Sequence, residues 1–221
     1  EDKHIIGTLS SGEDITERVR AEKLLNALNR AAVAMGTAQT QQEIFSAVAK
    51  EFKQLDISCM LFPLDDSGSK LLTKYISLES AALRTAEKLV GVAHEDFSIA
   101  IDSIDLYRKV FSKKKTVFIE DSENTIQQVL PKFAGKFTTQ ITKMLGVPKS
   151  IVAPLILDNK VFGSFSIQSN KLTQADVPAT TAFTDQLSSA WNKIGLLQNL
   201  RKTVEGTIHT IAATVEVRDP Y

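Results

Sequence analysis

The sequence has 221 residues, 43% of them apolar and 24% charged, and its 26 basic side chains balance its 26 acidic ones. A chain of this size can bury one substantial core, and a net charge of zero gives no global attraction to nucleic acid or an anionic membrane. Its single cysteine, Cys59, excludes an internal disulfide, and no apolar run reaches the roughly 20 residues that cross a bilayer, so we expect a soluble protein in a reducing, cytoplasmic compartment.

Two amphipathic helices are predicted in the first quarter of the chain. The first follows a turn, can be capped by Asp14 or Thr16, and carries apolar side chains at helical spacing over residues 24–35. The second begins near Thr40, where Thr40 and Glu43 have the spacing of a capping box. Each helix therefore has one apolar face to bury.

The apolar period then changes to that of β-strands. Residues 57–64 form a short apolar run typical of a strand covered on both faces, and residues 70–78 are predicted to return as its hairpin partner. A shorter strand is predicted over residues 116–119. The clearest hairpin spans residues 149–168 around Asp158–Asn159, two residue types that tolerate the positive φ angles of a tight turn.

Helices precede, separate and follow these strands. Residues 80–145 read mostly as helix and loop, and a long helix follows Thr173, with Pro178 in its first turn. Antiparallel strands between helices predict an α+β fold. We expect a central antiparallel sheet of five to six strands with helices on both faces, flanked by long N- and C-terminal helices.

The last helix repeats apolar side chains in alternating steps of three and four, which is typical of a left-handed coiled coil. This pattern predicts the interface of a parallel homodimer; the alternative is that it packs on its own domain. Arg201 interrupts the seam at a core position, which lowers stability but can fix the register. The seam residues are Leu187, Ala190, Ile194, Leu197, Arg201, Val204, Ile208 and Ile211, with Val215 continuing the spacing.

Few residues offer catalytic or metal-binding chemistry. The adjacent residues His94–Asp96 cannot converge on one ion without further ligands, so a solvated loop is the expectation. Cys59 lies in a buried strand, where it behaves as a small apolar side chain. The sequence has no glycine-rich phosphate loop, nucleophile elbow or carboxylate pair. We therefore predict no catalytic residue, no metal and no nucleic-acid partner.

The strands around Pro154–Leu155 and Gly163–Ile167 resemble the last two strands of a GAF domain, a sensor module of signalling proteins, and the similarity covers residues 24–191. The resemblance implies a pocket between the sheet and the helical insertion, suited to a small apolar or planar ligand; the alternative is that its aromatic side chains fill the core. The pocket residues implied are Phe97, Tyr107, Phe111, Phe118, Phe133, Phe137 and Met144. No cysteine is placed to attach a bilin, and the motif of cyclic-nucleotide GAF domains is not found, so no cofactor is expected.

The two ends resemble other signalling domains. Gly7 and Asp14–Thr16 resemble the exit of a PAS domain, and residues 204–221, ending in Asp-Pro-Tyr, resemble the first helix of an HD-GYP cyclic di-GMP phosphodiesterase. This implies a PAS remnant (1–13), a connector helix (14–36), a GAF domain (37–190), and a coiled-coil linker with the start of HD-GYP (191–221).

The function implied is a non-catalytic sensor that signals through dimeric helices to an HD-GYP output domain. The alternatives are a dimerisation spacer without a ligand and the sensor input of a histidine kinase. His209 could be the phosphoacceptor of such a kinase, but Thr210 follows where an acidic residue usually takes its proton. The sequence thus favours an exposed histidine at this position.

Overall fold

The computed structural model describes residues 15–78, 80–130, 137–145 and 149–218 of the chain. The strand and turn predicted before Asp14, and the Asp-Pro-Tyr that ends the chain, lie outside these residues. The elements, in chain order, are α1 (Thr16–Met35), α2 (Gln41–Lys53), β1 (Ser58–Pro63), β2 (Lys70–Leu72), β3 (Tyr75–Ile76), α3 (Ser80–Val90), β4 (Ser98–Ala100), α4 (Asp105–Lys113), β5 (Val117–Ile119), α5 (Glu123–Val129), α6 (Thr138–Leu145), β6 (Ser150–Leu157), β7 (Lys160–Gln168) and α7 (Val177–Arg218).

The α+β fold class is confirmed. Five strands form one antiparallel sheet in the order β3-β1-β7-β6-β5. One face of the sheet, the back face, packs against α2 and α7, and α1 packs on these two helices. The other, the front face, is covered by the segment α3 to α6.

The predicted hairpin and helix start follow from local chemistry. Asp158 and Asn159 adopt φ angles of 46° and 62°, as a two-residue turn between β6 and β7 requires. The Thr40 hydroxyl caps α2 by accepting a hydrogen bond from Glu43 N at 3.1 Å. The Glu43 carboxylate reaches one residue further back than in a capping box and accepts from Gln39 N at 2.8 Å. In α1 the cap position is Ile15, so Thr16 is not the cap.

The predicted pairing of residues 70–78 with β1 is only half right. The pair β1–β3 forms, with Met60 opposite Ile76, but β2 leaves the sheet and pairs with β4, with Leu71 opposite Ile99. Leu71 also forms an isolated antiparallel bridge with Leu64, directly after β1. Its side chain is fully buried in the front cluster with that of Ile99. Thr73 stabilises this break because the single proton of its hydroxyl is shared between the backbone carbonyls of His94 and Phe97.

Alternation along the strands divides the core. In β1, Cys59 and Leu61 point to the back face, while Met60 and Phe62 point to the front. In β7, Phe165 and Ile167 belong to the back core, so the side chains that alternate with them face the front. A single strand therefore contacts both layers of helices.

The helix α7 has two parts with different surroundings. Its first part packs on the back face, with Phe183, Leu187, Trp191 and Ile194 buried in the core. Its second part continues to Arg218 with exposed side chains over residues 199–214. Among the described helices, none combines the length and hydropathy needed to cross a bilayer.

A cavity between the sheet and the helical layer

A cavity of about 200 Å³ lies between the front face of the sheet and the helices α3, α5 and α6. The alternation of β1 directs Met60 and Phe62 into it, and the helical spacing of Leu83, Ala86 and Val90 gives α3 a matching apolar face. The remaining lining residues are Thr73, Ile76, Leu78, Glu87, Val92, His94, Phe97, Ile99, Tyr107, Ile126, Val129, Leu130 and Ile141. The arrangement is a largely apolar chamber, as small-molecule sites usually are.

A hydrogen-bonded histidine and glutamate lie at the rim of this cavity. The Glu87 Oε1 atom is 2.6 Å from His94 Nδ1 and accepts a hydrogen bond from His94 N at 2.9 Å. Their side chains are 23% and 26% exposed. The hydrogen bond from the His94 backbone, together with that from its ring, lowers the pKa of Glu87, so the carboxylate stays ionised.

The segment His94–Asp96 forms a short 3-10 helix, and only His94 turns toward the cavity. Within the described ranges, no group of three or more histidine, cysteine, aspartate or glutamate side chains could hold a metal ion. The partner of His94 is Glu87, seven residues earlier on α3. Sequence spacing alone did not identify this contact.

Two buried hydroxyl groups complete the wall. Tyr107 is 5% exposed, and burial raises the pKa of its phenol, so it remains neutral. The proton of the Thr73 hydroxyl is already hydrogen-bonded to the His94 and Phe97 carbonyl oxygens. These groups therefore fix the shape of the wall and carry no charge.

A second, smaller cavity of about 80 Å³ adjoins the first along the front face of the sheet. Met60, Phe62 and Tyr107 line both cavities. The smaller one also contains hydroxyl and carboxamide groups, which are rare in the larger chamber. Its other lining residues are Leu106, Ile119, Ser122, Thr125, Ser150, Val152, Ser166 and Gln168.

Of the predicted pocket residues, Phe97 and Tyr107 line the larger cavity. Phe111 lies beside Tyr107, with ring centroids 6.0 Å apart, and packs into the front core without lining the cavity. Phe118 lies on the opposite face of the sheet from the cavity. Strand β5 places Val117 and Ile119 on the front face and Phe118 against the back core, so Phe118 is not a pocket residue.

Of the other three predicted pocket residues, Phe137 is the one whose side chain is described. Phe137 packs against the small cluster that contains Ala86, Val90 and Ile141. Phe133 lies outside the described residues, and Met144 belongs to α6 without a described side chain. The aliphatic lining of α3, α5 and α6 was missed; the helical spacing of Leu83, Ala86 and Val90 is the signal that could have identified it.

The predicted dimer seam is divided at Ile194. Leu187 is fully buried and Ile194 is 7% exposed, and both belong to the back core of their own subunit, with Ala190 packed beside them. These three positions are therefore corrected to core positions. The later apolar members, Leu197, Val204, Ile208 and Ile211, are between 48% and 60% exposed, and Arg201 is exposed as well.

No protein-family model matches the sequence, and no curated protein sequence matches it. Solved structures do. The GAF domain of a phosphoenolpyruvate-protein phosphotransferase from Acinetobacter is 12% identical with a TM-score of 0.56, over 78% of this chain and 95% of that chain. The GAF domain of the corresponding Coxiella burnetii protein is also 12% identical, with a TM-score of 0.57 over 81% and 98% of the two chains.

An enzyme has a similar fold. Free methionine-R-sulfoxide reductase from Neisseria meningitidis, solved with its substrate, is 11% identical with a TM-score of 0.56 over 86% of this chain and 97% of that chain. At such identities the similarity establishes the fold and no shared activity. The described chain has a GAF fold.

Proposed function

We propose that this chain is a non-catalytic sensory domain that binds a small molecule in the front cavity and passes the resulting change to a C-terminal coiled coil formed with a second copy. The observation that carries the proposal is the continuity of α7. The same helix packs on the sheet behind the cavity and then extends beyond the core with an apolar stripe exposed.

The strand β7 connects the cavity side of the sheet with α7. Its front side chains, including Ser166 and Gln168, line the smaller cavity. On its back side the Phe165 ring lies 5.7 Å from that of Phe183 in α7. A ligand that favours one position of β7 therefore favours one position of α7, provided that its affinity differs between the two states.

The neighbouring strand β6 contacts the same part of α7. Ile156 N donates a hydrogen bond to Ser188 Oγ at 3.2 Å, and Ser188 is fully buried. The preceding residue, Leu155, is also fully buried in the back core. The first part of α7 thus contacts two strands, and we expect it to move together with the sheet.

The partner that suits the exposed stripe is a second copy of this chain. Leu197, Val204, Ile208 and Ile211 continue the heptad spacing after the helix has left its own core. Two parallel copies bury these side chains against each other. Arg201 lies within the seam and keeps the pairing marginal, as a switch requires.

The proposed output is an HD-GYP domain, on the strength of the resemblance of residues 204–221 to the first helix of that family. The resemblance of the first residues to the exit of a PAS domain suggests that a PAS domain, as a second sensor, precedes the connector helix. In this arrangement the parent protein hydrolyses cyclic di-GMP, and the GAF domain with its connecting helices regulates that reaction.

Two other functions receive less support. Sulfoxide reduction by a thiol needs a reactive cysteine, but Cys59 is fully buried and burial raises its pKa to about 12. A dimerisation spacer would need no cavity, whereas this domain has one whose described lining is mostly apolar, with Glu87 and His94 at its rim.

Native mass spectrometry of the purified protein tests the proposal directly. We expect a dimer, and a small molecule that leaves on denaturation. Ile208→Lys supplies the control, because a charge at this seam position should yield monomers that keep the small molecule. If the unmutated protein is a monomer with an empty cavity, the proposal is contradicted.

A further inference from the structure

The smaller cavity contains a buried hydrogen-bonding group without a partner. Gln168 is 6% exposed, and its Nε2 atom donates to Ser166 Oγ at 2.7 Å. Its Oε1 atom, within the described part of the chain, is a buried side-chain atom with no hydrogen-bond partner. Burying an acceptor without a donor is unfavourable, so the carboxamide is placed to receive one.

Three serine hydroxyls surround the same space. Ser122 Oγ and Ser150 Oγ lie 3.0 Å apart and share one hydrogen bond, which leaves one of their two protons free. The Ser166 hydroxyl accepts from Gln168 and keeps its own proton to donate. The three serines are at most 5% exposed. The cavity therefore offers an acceptor and donors side by side.

No charged side chain is among the described residues that line this cavity. An ionised ligand group would lose its hydration there without gaining a counter-charge, which is strongly unfavourable. The larger cavity next to it is apolar, with Glu87 and His94 only at the rim. The environment thus changes from apolar to neutral polar along the front face.

Met60 lies at the junction and lines both cavities. Its side chain is unbranched and adopts new rotamers at little cost. Of the three side chains that line both cavities, Met60 is the flexible one, so its movement offers the head group of a ligand in the larger cavity a route into the smaller one.

We propose that the site binds a small neutral molecule with an apolar body and an amide or lactam head group that donates a hydrogen bond to Gln168 Oε1 and accepts one from a serine hydroxyl. An amide has both a donor and an acceptor. If the Gln168 carboxamide is rotated so that Oε1 and Nε2 exchange places, the ligand amide accepts from Nε2 instead of donating to Oε1. This inference rests on the sensory role proposed above and specifies its ligand. It excludes phosphate-bearing and carboxylate-bearing ligands from the smaller cavity.

Three probes of one shape separate these requirements: 2-naphthamide, its carboxylate analogue 2-naphthoate, and 2-methylnaphthalene. The protein is labelled with ¹³C at its three methionine methyl groups. Met60 reports on the junction of the cavities, and Met35, buried in the back core, is the internal control. We expect 2-naphthamide to shift the Met60 signal without shifting Met35, and to bind at least tenfold more tightly than 2-naphthoate.

The variant Gln168→Leu tests the hydrogen bond itself. We expect it to weaken 2-naphthamide binding about tenfold and to leave 2-methylnaphthalene binding unchanged or stronger. Gln186→Leu makes the same chemical change at an exposed position of α7 and should alter neither. An unshifted Met35 signal shows that each variant is folded; Ser166→Ala, with the same expected direction, serves if Gln168→Leu does not fold.

The inference is overturned if 2-naphthamide leaves Met60 unshifted, if 2-naphthoate binds equally well, or if Gln168→Leu binds the amide as the parent protein does. The last result would mean that water satisfies the carboxamide. If these results are negative while native mass spectrometry finds a dimer with a co-purified molecule, the sensory role stands and the ligand class is wrong. If the native protein is an empty monomer, the sensory role itself fails.

Discussion

Arg20 and Asp176 join the first helix to the start of the last one across 156 residues of sequence. The guanidinium donates from Nη1 to Oδ2 at 2.8 Å and from Nη2 to Oδ1 at 3.1 Å, a bidentate geometry that lysine cannot reproduce. Asp176 is 3% exposed and also accepts from Thr173 N at 2.8 Å. The pair therefore fixes the position of α1 relative to the turn that begins α7.

The variant Arg20→Ala should lower the free energy of unfolding by about 2–3 kcal/mol, because it leaves a buried carboxylate with fewer donors. Urea denaturation measures this change. Arg30→Ala is the matched control on the same helix; Arg30 pairs with Glu51 but is 50% exposed, so its loss should cost less than about 1 kcal/mol. Equal losses in the two variants would show that the Arg20 pair has no special role.

Gly163 allows β7 to approach β1 closely. A Cβ atom at this position would lie 2.6 Å from the Phe62 carbonyl oxygen, so Gly163→Ala should destabilise the domain by about 2–3 kcal/mol through displaced backbone. Thermal and urea unfolding measure the loss. At Gly206 nothing lies within 4 Å of the added atom, and Gly206→Ala should instead raise helicity without loss of stability. A stable Gly163→Ala protein would contradict the close approach.

Replacing Arg201 by leucine should strengthen self-association. The exposed seam around it is apolar, so Arg201→Leu removes a charge from the proposed interface and adds apolar surface to it. We expect a dissociation constant at least about tenfold lower by equilibrium sedimentation. Lys202→Leu, one position off the seam and exposed, should have little effect. Unchanged association in Arg201→Leu would remove this seam from the interface.

Glu87 should contribute to acid sensitivity. Its pKa in the folded protein lies below the ordinary value of 4.5, because the His94 backbone and ring donate to its carboxylate. A lowered folded pKa means that the stabilisation is present above 4.5 and is lost as the pH falls through the folded value. In urea titrations at pH values below 4.5, acidification should therefore lower the free energy of unfolding of Glu87→Gln less than that of the unmutated protein. Glu95→Gln, an exposed neighbour, should follow the parent curve.

Features encoded locally could be predicted from the sequence. The Asp158–Asn159 turn and the Thr40 cap depend on residues next to them in the chain, and the apolar run in β5 depends on its own composition. The helical spacing that continues past Thr173 predicted α7 for the same reason. The α+β class follows from the order of such elements and needs no knowledge of their contacts.

Features that depend on distant partners could not be predicted. The pairing of Leu71 with Ile99 and the pair Arg20–Asp176 are set by packing between separate segments. Phe118 was misplaced because a three-residue strand shows its alternation only once its neighbours are known. The seam changes from core to surface at Ile194 without any change in its spacing, so periodicity alone cannot locate the boundary.

The length of α7 determines what a downstream domain can detect. Beyond Ile194 the helix continues to Arg218, about 36 Å at the standard rise per residue. Over that arm, a tilt of about 2° at the base moves the tip by about 1 Å, whereas a turn about the helix axis arrives with its angle undiminished. A tilt and a rotation of the base of α7 therefore reach a downstream domain differently. Lengthening the exposed part of the helix by whole heptads increases the displacement that a tilt produces at the tip, and it leaves the angle of a rotation unchanged.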